Sequence, residues 1–380
     1  MPSTPVDLSS LTLVRCTPAQ FDVAAHNAHA EWGNGYSIDE FVEHMKGFTV
    51  NAKANGYAWG SNGQWVPWAL VPRSDPGTMN MLAHCHTFRR DSLVLPPGSS
   101  TPEDVASYGI GAVFTPVYAR KKGYARHMLR LLHYMLAPET RLAPFPAEWG
   151  APPAADIRIG DARFSVLYSG IGEKFYADCT KGAEDKGWVH PRPRVVTREW
   201  KVPADDAGTE VAGAQWVERD GLGRVEAEMA KRIRLELSTT GDASKTRLAI
   251  LPTGQLTFQV VFSDNKRPGS TNALFLPAAA GSDEQPFIAY ALTLPDAGKT
   301  STRLVITHVS HTAEARVPFS AVLAAAWREG ATEVEHWGDA GWDAEGDGAK
   351  LLPDANCPCI AVYGLADDDV EWEWCEKLAG

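Results

Sequence analysis

The sequence predicts a mixed α/β (α+β) chain of two domains, the first built on a central, mostly antiparallel sheet with one strand–helix–strand crossover. Three observations lead there. Residues 107–136, SYGIGAVFTPVYARKKGYARHMLRLLHYML, pass from a β-rich run through a basic glycine turn into an unbroken helical pattern. A second strand–helix–strand pattern recurs at 303–337. The chain has 380 residues, enough for two substantial cores and more than one core usually takes.

Residues 11–15 alternate as a first strand. Thr17-Pro18-Ala19-Gln20 supplies an N-cap, a proline at the first helical position and a glutamine three residues on, so a helix runs from there to about Trp32, before Gly33. Ser37-Ile38-Asp39-Glu40 opens a second helix in the same way. Residues 57–71 read as a hairpin about Ser61-Asn62-Gly63-Gln64, and 79–88 as a further strand. The strand from Tyr108 completes an antiparallel meander, although Gly109 and Gly111 weaken it; a bulge or close approach of a ligand accounts for tolerating them.

Met128, Leu131, Leu132 and Met135 recur at helical spacing, which makes them core facing the sheet. Five prolines in 137–155 exclude regular structure, leaving a surface insertion that either rims a pocket or fills space. Residues 164–169 form a compact strand, parallel to the one before the helix if the crossover is right-handed. Tyr176 lies on the helix after it. Residues 191–200 read as the strand closing a first domain of residues 1–201, 202–221 as an acidic, turn-rich linker, and 222–380 as the second domain.

A net charge of −11 argues against nucleic acid, which needs clustered excess Lys and Arg, and suits a cationic small-molecule substrate. No apolar run reaches membrane-spanning length and the N-terminus lacks a signal-peptide pattern, so a cytoplasmic protein with no membrane partner is expected. The six cysteines are too sparse for a disulfide scaffold. His84-Cys85-His86 and Cys357-Pro358-Cys359 each place two like residues on one face of an extended segment, too few ligands for zinc, and no metal is expected.

Backbone N–H groups in the first turn of a helix lack intrahelical partners and lie at the positive end of its dipole, so they suit phosphate oxygens. The spacing Arg120, Gly123, Ala125 after a strand resembles the Arg/Gln-x-x-Gly-x-Gly/Ala pyrophosphate loop of the GNAT acetyltransferases, and FSVLYSGIGEKFYADC, residues 164–179, resembles that family's next strand and helix. The resemblance implies a GNAT fold, with a splayed parallel pair of strands admitting the pantetheine arm of acetyl-CoA. It implies cofactor contacts from Val113, Phe114, Thr115, Arg120, Lys121, Lys122, Gly123, Tyr124 and Ala125, and from Ser169 where the family often carries Asn. A backbone N–H at 113–115 would polarise the thioester, and Tyr176 would be the general acid. The second half has a GNAT-like element order with Thr312-Ala313-Glu314-Ala315-Arg316 in place of a basic glycine loop; it is either a degenerate partner domain or an unrelated α+β domain.

Within that superfamily the chain resembles the fungal lysine N6-acetyltransferases of lysine catabolism. The residues carrying this likeness are His29-Ala30-Glu31-Trp32-Gly33, Cys85-His86-Thr87-Phe88-Arg89-Arg90, VFTPVYARKKGYA (113–125), FSVLYSGIGEKFYA (164–177) and Val370-Glu371-Trp372-Glu373-Trp374. The likeness implies acetylation of the ε-amine of free L-lysine, with Glu31, Trp32, His86, Glu371 and Glu373 as substrate contacts. Glu31, His84 and His86 are placed where a base could act. Other acceptors consistent with the sequence are a polyamine, a peptide or another small amine; a non-catalytic acyl-CoA-binding module is the remaining alternative.

Overall fold

A computed structural model describes residues 7–33, 36–49, 51, 64–190, 195–204, 211–239, 241–254, 269–293, 301–338, 340–342, 348–352 and 357–373. The Asn62-Gly63 turn, most of 254–262, Trp374 and Cys375 lie outside these. Strand β1 (Leu11–Arg15) leads into helix α1 (Pro18–Trp32) and then α2 (Ile38–Phe48). Both helices start where local chemistry places them, with complete capping boxes: Thr17 with Gln20, and Ser37 with Glu40. Strands β2 (Trp65–Pro72), β3 (Ala83–Leu95) and β4 (Glu103–Phe114) follow, then α3 (Tyr124–Leu136), β5 (Ala162–Ser169) and the short α4 (Glu173–Ala177).

β1 to β4 are antiparallel neighbours in order, and β5 lies parallel beside β4 through the α3 crossover. β3 and β4 are longer than their local patterns predict. The extra length has a distant cause: β3 residues Ser92–Val94 pair on one side with β4, and Ser92–Leu95 pair on the other with β8 (Thr246–Ile250), a strand from the second half of the chain.

The second sheet runs β13 (Lys350–Leu352), β6 (Thr197–Lys201), β12 (Glu333–Trp337), β11 (Arg303–Ser310), β10 (Phe287–Thr293), β9 (Thr271–Phe275) and β7 (Gln215–Glu218). β11 and β12 are parallel and joined by α6 (Phe319–Glu329), repeating the strand–helix–strand unit of the first sheet. The strand expected to close the first sheet, β6, therefore lies in the second, antiparallel to β12. The free edge of β5 is taken instead by β14 (Cys357–Val362), with Cys359 opposite Leu167. β15 (Val370–Trp372) adds to the first sheet beside β8. Local alternation marks 197–201 as a strand but says nothing about which of two exposed edges it will join. Within the stretch read as linker, β7 is itself a strand, paired with β9.

α3 buries Met128, Leu131, Leu132 and Met135 completely against the first sheet. The proline-rich insertion packs on the same helix: Phe145 and Trp149 meet Tyr134 edge-on at 4.9 and 6.1 Å, and the Tyr134 hydroxyl donates to the Ala143 carbonyl at 3.0 Å. Helix α5 (Leu222–Thr239) joins the two sheets by packing Val225, Met229 and Ile233 against Leu93 and Ala249 of one and Phe275 and Phe287 of the other. Among the described residues, no helix is long and apolar enough to cross a membrane.

Candidate active site

The site grows out of an irregularity in β4. Pairing with β3 slips between His86–Gly111 and His84–Phe114, and Ala112, the residue taken up by the slip, has φ 50°. On the other side, pairing with β5 stops at Ile110–Leu167, although β4 continues to Phe114 and β5 to Ser169. The two parallel strands thus part beyond Ile110. This leaves the backbone of 111–115 without a β5 ladder, where an extended thioester arm can take the missing strand's place. Val113, Phe114 and Thr115 lie at this opening.

The chain then turns through 116–123 into α3. Lys121 and Gly123 both adopt left-handed backbone conformations, φ 64° and 81°, and Gly123 caps the helix. The first helical amide with an acceptor is His127, donating to the Gly123 carbonyl at 3.0 Å; the Lys122 amide closes the turn over 120–121, and among the described residues the N–H groups of Gly123, Tyr124, Ala125 and Arg126 have no acceptor. Four consecutive free donors at 123–126, at the positive end of a helix and beside the exposed lysines 121 and 122, are an arrangement that can accept an anion. Tyr124 is instead buried in the core beneath the loop.

Arg120 lies over the Phe114 ring, its centre 5.5 Å away, and donates to the Thr115 carbonyl at 3.0 Å and to Glu31 at 2.6 Å. Both partners of that ion pair are nearly half exposed, so the pair is worth only ~0–1 kcal/mol and does not prevent Arg120 from meeting an anion. Trp32 meets Phe114 at 5.9 Å. The end of α1, the end of β4 and the loop thereby bring together Glu31, Trp32, Phe114, Thr115 and Arg120.

Tyr176 approaches from the opposite face. Burial, followed by the nearby Cys179, Cys359 and Cys85 thiols, pushes its phenol above the usual tyrosine range, so it holds its proton at neutral pH. Cys85 is on β3 and Cys359 on β14, with β4 and β5 between them, so the ring packs in the core on the face of the sheet that those two thiols share. The Ser169 hydroxyl is occupied locally: it donates to the Gly172 carbonyl at 2.7 Å and accepts from the Ile171 amide at 3.1 Å, closing the turn before α4.

His84 and His86 project from β3 on the α1 side. His86 is buried between Phe21 and Trp65, at 5.9 and 5.2 Å, while His84 packs against Phe114 at 5.3 Å with neither ring nitrogen hydrogen-bonded. Burial pushes His84 down to about 4 and His86 to about 3, which keeps both neutral near pH 7. Glu371 and Glu373 are not brought to this place. Glu373 pairs with Arg247 at 3.4 Å and Glu371 accepts from the Asp242 amide at 3.4 Å, beside β8. β8 pairs with the far end of β3, about 26 Å from His86 at ~3.3 Å per residue over the eight residues to Val94.

No family model matches the sequence and no curated protein matches it. Solved structures do. A probable N-acyltransferase of unknown function from Enterococcus faecalis V583 superposes with a TM-score of 0.53 at 10% identity, over 94% of this chain and 73% of that one. A GCN5-related N-acetyltransferase from Anabaena variabilis gives 0.51 at 11% identity, over 93% and 72%. The fold is the GNAT fold.

The likeness spans both sheets, so the second half belongs to the shared architecture. Its own crossover lacks a basic glycine loop, and three of the turn's amides already have acceptors: Thr312 donates to the Ala315 carbonyl, Ala315 to the Thr312 hydroxyl and Val317 to His311. Sequence spacing singled out Arg120 and Gly123 as loop residues, but gave no sign that Lys121 and Ala112 hold positive φ or that the Arg126 amide is also free.

Proposed function

We propose that this chain transfers the acetyl group of acetyl-CoA to the ε-amine of free L-lysine by direct attack within a ternary complex. The observation that carries the cofactor reading is the row of free amides at 123–126 entering α3, soon after β4 and β5 part. Acetyl-CoA supplies an activated thioester carbonyl. The amides at 123–126, with the side chains of Lys121, Lys122 and Arg120, hold its diphosphate, and the backbone of Val113 to Thr115 donates to the carbonyl oxygen as that oxygen gains charge. The attacking nitrogen forms a C–N bond as the C–S bond breaks. The buried, protonated Tyr176 gives its proton to the departing sulfur.

The proton released by the amine has two acceptors in the corner formed by α1 and β4: the Glu31 carboxylate and the neutral His84 ring behind Phe114. A diphosphate that engages Arg120 frees Glu31 to face a cationic acceptor, in keeping with the acidic charge of the chain. The choice of lysine rests on the motif likeness at 29–33, 85–90 and 113–125. Incubating the protein with acetyl-CoA and a panel of L-lysine, spermidine and short peptides, with products read by mass spectrometry, should give N6-acetyllysine. Acetylspermidine without acetyllysine would replace the acceptor. Coenzyme A binding with no acetylated product from any amine would leave a binding module.

A further inference from the structure

Between α3, α4, β5 and β14 lies a chain of buried polar groups that the transfer chemistry above does not use. The Trp188 indole N–H donates to the Ser165 hydroxyl at 3.0 Å, Ser165 meets the Tyr363 hydroxyl at 2.8 Å, Tyr363 meets His133 Nδ1 at 3.1 Å, and His133 Nε2 meets the Cys179 carbonyl at 3.0 Å. All four side chains are fully or almost fully buried, and the His133 and Trp188 rings stack at 3.9 Å.

The two ends fix every proton in the chain. An indole can only donate and a carbonyl can only accept. His133 therefore carries its proton on Nε2, for Cys179, and accepts at Nδ1 from Tyr363; Tyr363 in turn accepts from Ser165, which accepts from Trp188. An imidazolium would leave Tyr363 facing an N–H, and burial pushes His133 down to about 3, so the ring stays neutral.

Both ends of the chain bear on the residue proposed as the acid. The amides of Cys179 and Trp188 each donate to the Tyr176 carbonyl at 3.1 Å, and the Gly187 amide donates to the Ala177 carbonyl at 2.9 Å. The fit is close enough that a Cβ on Gly187 would stand 2.1 Å from the Cys179 carbonyl oxygen and 2.5 Å from that of Tyr176. α4 is only five residues long and has little stability of its own. Its orientation is set by this clamp, and Tyr363, which follows β14, comes from the far end of the chain.

We propose that His133, Ser165, Trp188 and Tyr363 are positioning residues for Tyr176, so that the C-terminal segment completes the active site by aiming the acid. This rests on the acid role of Tyr176 given above. The test is a double-variant cycle on the full-length protein, with acetyl-CoA and whichever amine of the panel it acetylates. Tyr363→Phe removes one hydroxyl and keeps the ring. It is expected to lower kcat about ten-fold with KM for acetyl-CoA unchanged, and to cause no further fall when Tyr176 is already Phe.

An equal fall in both backgrounds, or none in either, overturns the positioning role while leaving the acid in place. If Tyr176→Phe alone has no effect, the acid assignment fails and this role fails with it. A reading independent of turnover is the 15N spectrum of His133 in the intact protein at pH 5, which should show a neutral ring protonated at Nε2. A ring protonated at Nδ1, or at both nitrogens, contradicts the chain. Ser165→Ala serves as the second variant, with the same expectation for kcat.

Discussion

Lys121 and Gly123 both hold left-handed backbone conformations, at φ 64° and 81°, yet only one of them is a glycine. At Gly123 an added Cβ would meet only a Leu8 methyl, at 3.7 Å, so the cost of Gly123→Ala is backbone strain of about 1 kcal/mol rather than a clash. At Lys121 the same strain is already present. Lys121→Gly is therefore expected to raise unfolding stability by up to about 1 kcal/mol in a denaturant titration while weakening coenzyme A binding through the lost ammonium. A stability loss would show that Lys121 contributes contacts that outweigh its strain. The glycine was legible because only glycine is free in that region; a lysine there carries no mark in the sequence.

Buried histidines give a pH dependence at the same scale. His84, His86 and His133 are held at about 4, 3 and 3, below the ordinary value of 6.5. Above pH 6.5 both folded and unfolded states carry them neutral and they contribute no slope. Below it the unfolded chain binds protons that the folded one refuses, so stability falls as pH drops from 6.5 towards 4, by about 1.4 kcal/mol per pH unit for each group. Denaturant midpoints measured from pH 8 to pH 4.5 should be flat and then decline. A midpoint that rises on acidification would show that these rings gain a partner for their charge.

Among the elements, helix starts were the most legible because a cap is local chemistry. Thr17 and Gln20 close their box as spacing predicts, but Gln20 also donates to the Pro76 and Thr78 carbonyls, at 3.0 and 3.1 Å, from a fully buried position. Gln20→Ala thus removes more than a cap, and a loss of about 2–3 kcal/mol is expected by denaturant titration; a loss below ~0.5 kcal/mol would mean the amide is not holding the 76–78 turn. Strand lengths were less legible than helix starts. Glu103 to Ser107 carries two acidic residues and precedes the strand expected from Tyr108, but becomes strand because β3 extends beside it. The β4 slip was anticipated only as a reason for tolerating Gly109 and Gly111; its location at Ala112 depends on pairing that no single strand encodes.

At the scale of the molecule, the sheet–helix–sheet content could be read and the strand exchange could not. The sequence marks β6 as a strand, but its edge, like those taken by β8, β14 and β15, is chosen by the assembled core. β8, β14 and β15 complete the first sheet from the second half, and α5 is buried against both sheets. A fragment ending at residue 201 would expose the β14 edge of β5 and the β8 edge of β3, and is expected to aggregate, whereas the whole chain should melt in one calorimetric transition. A soluble fragment with a sigmoidal melt of its own, or two separate transitions in the full chain, would mean that the exchange contributes little.

The account depends most on the free amides at 123–126 holding a diphosphate. Isothermal titration of the full-length protein with acetyl-CoA measures this directly. The prediction is one site per chain, weakened at least ten-fold in Gly123→Asp, whose carboxylate would face the same oxygens and whose backbone would resist φ 81°. No heat with the wild-type protein, or equal affinity in the variant, would contradict it.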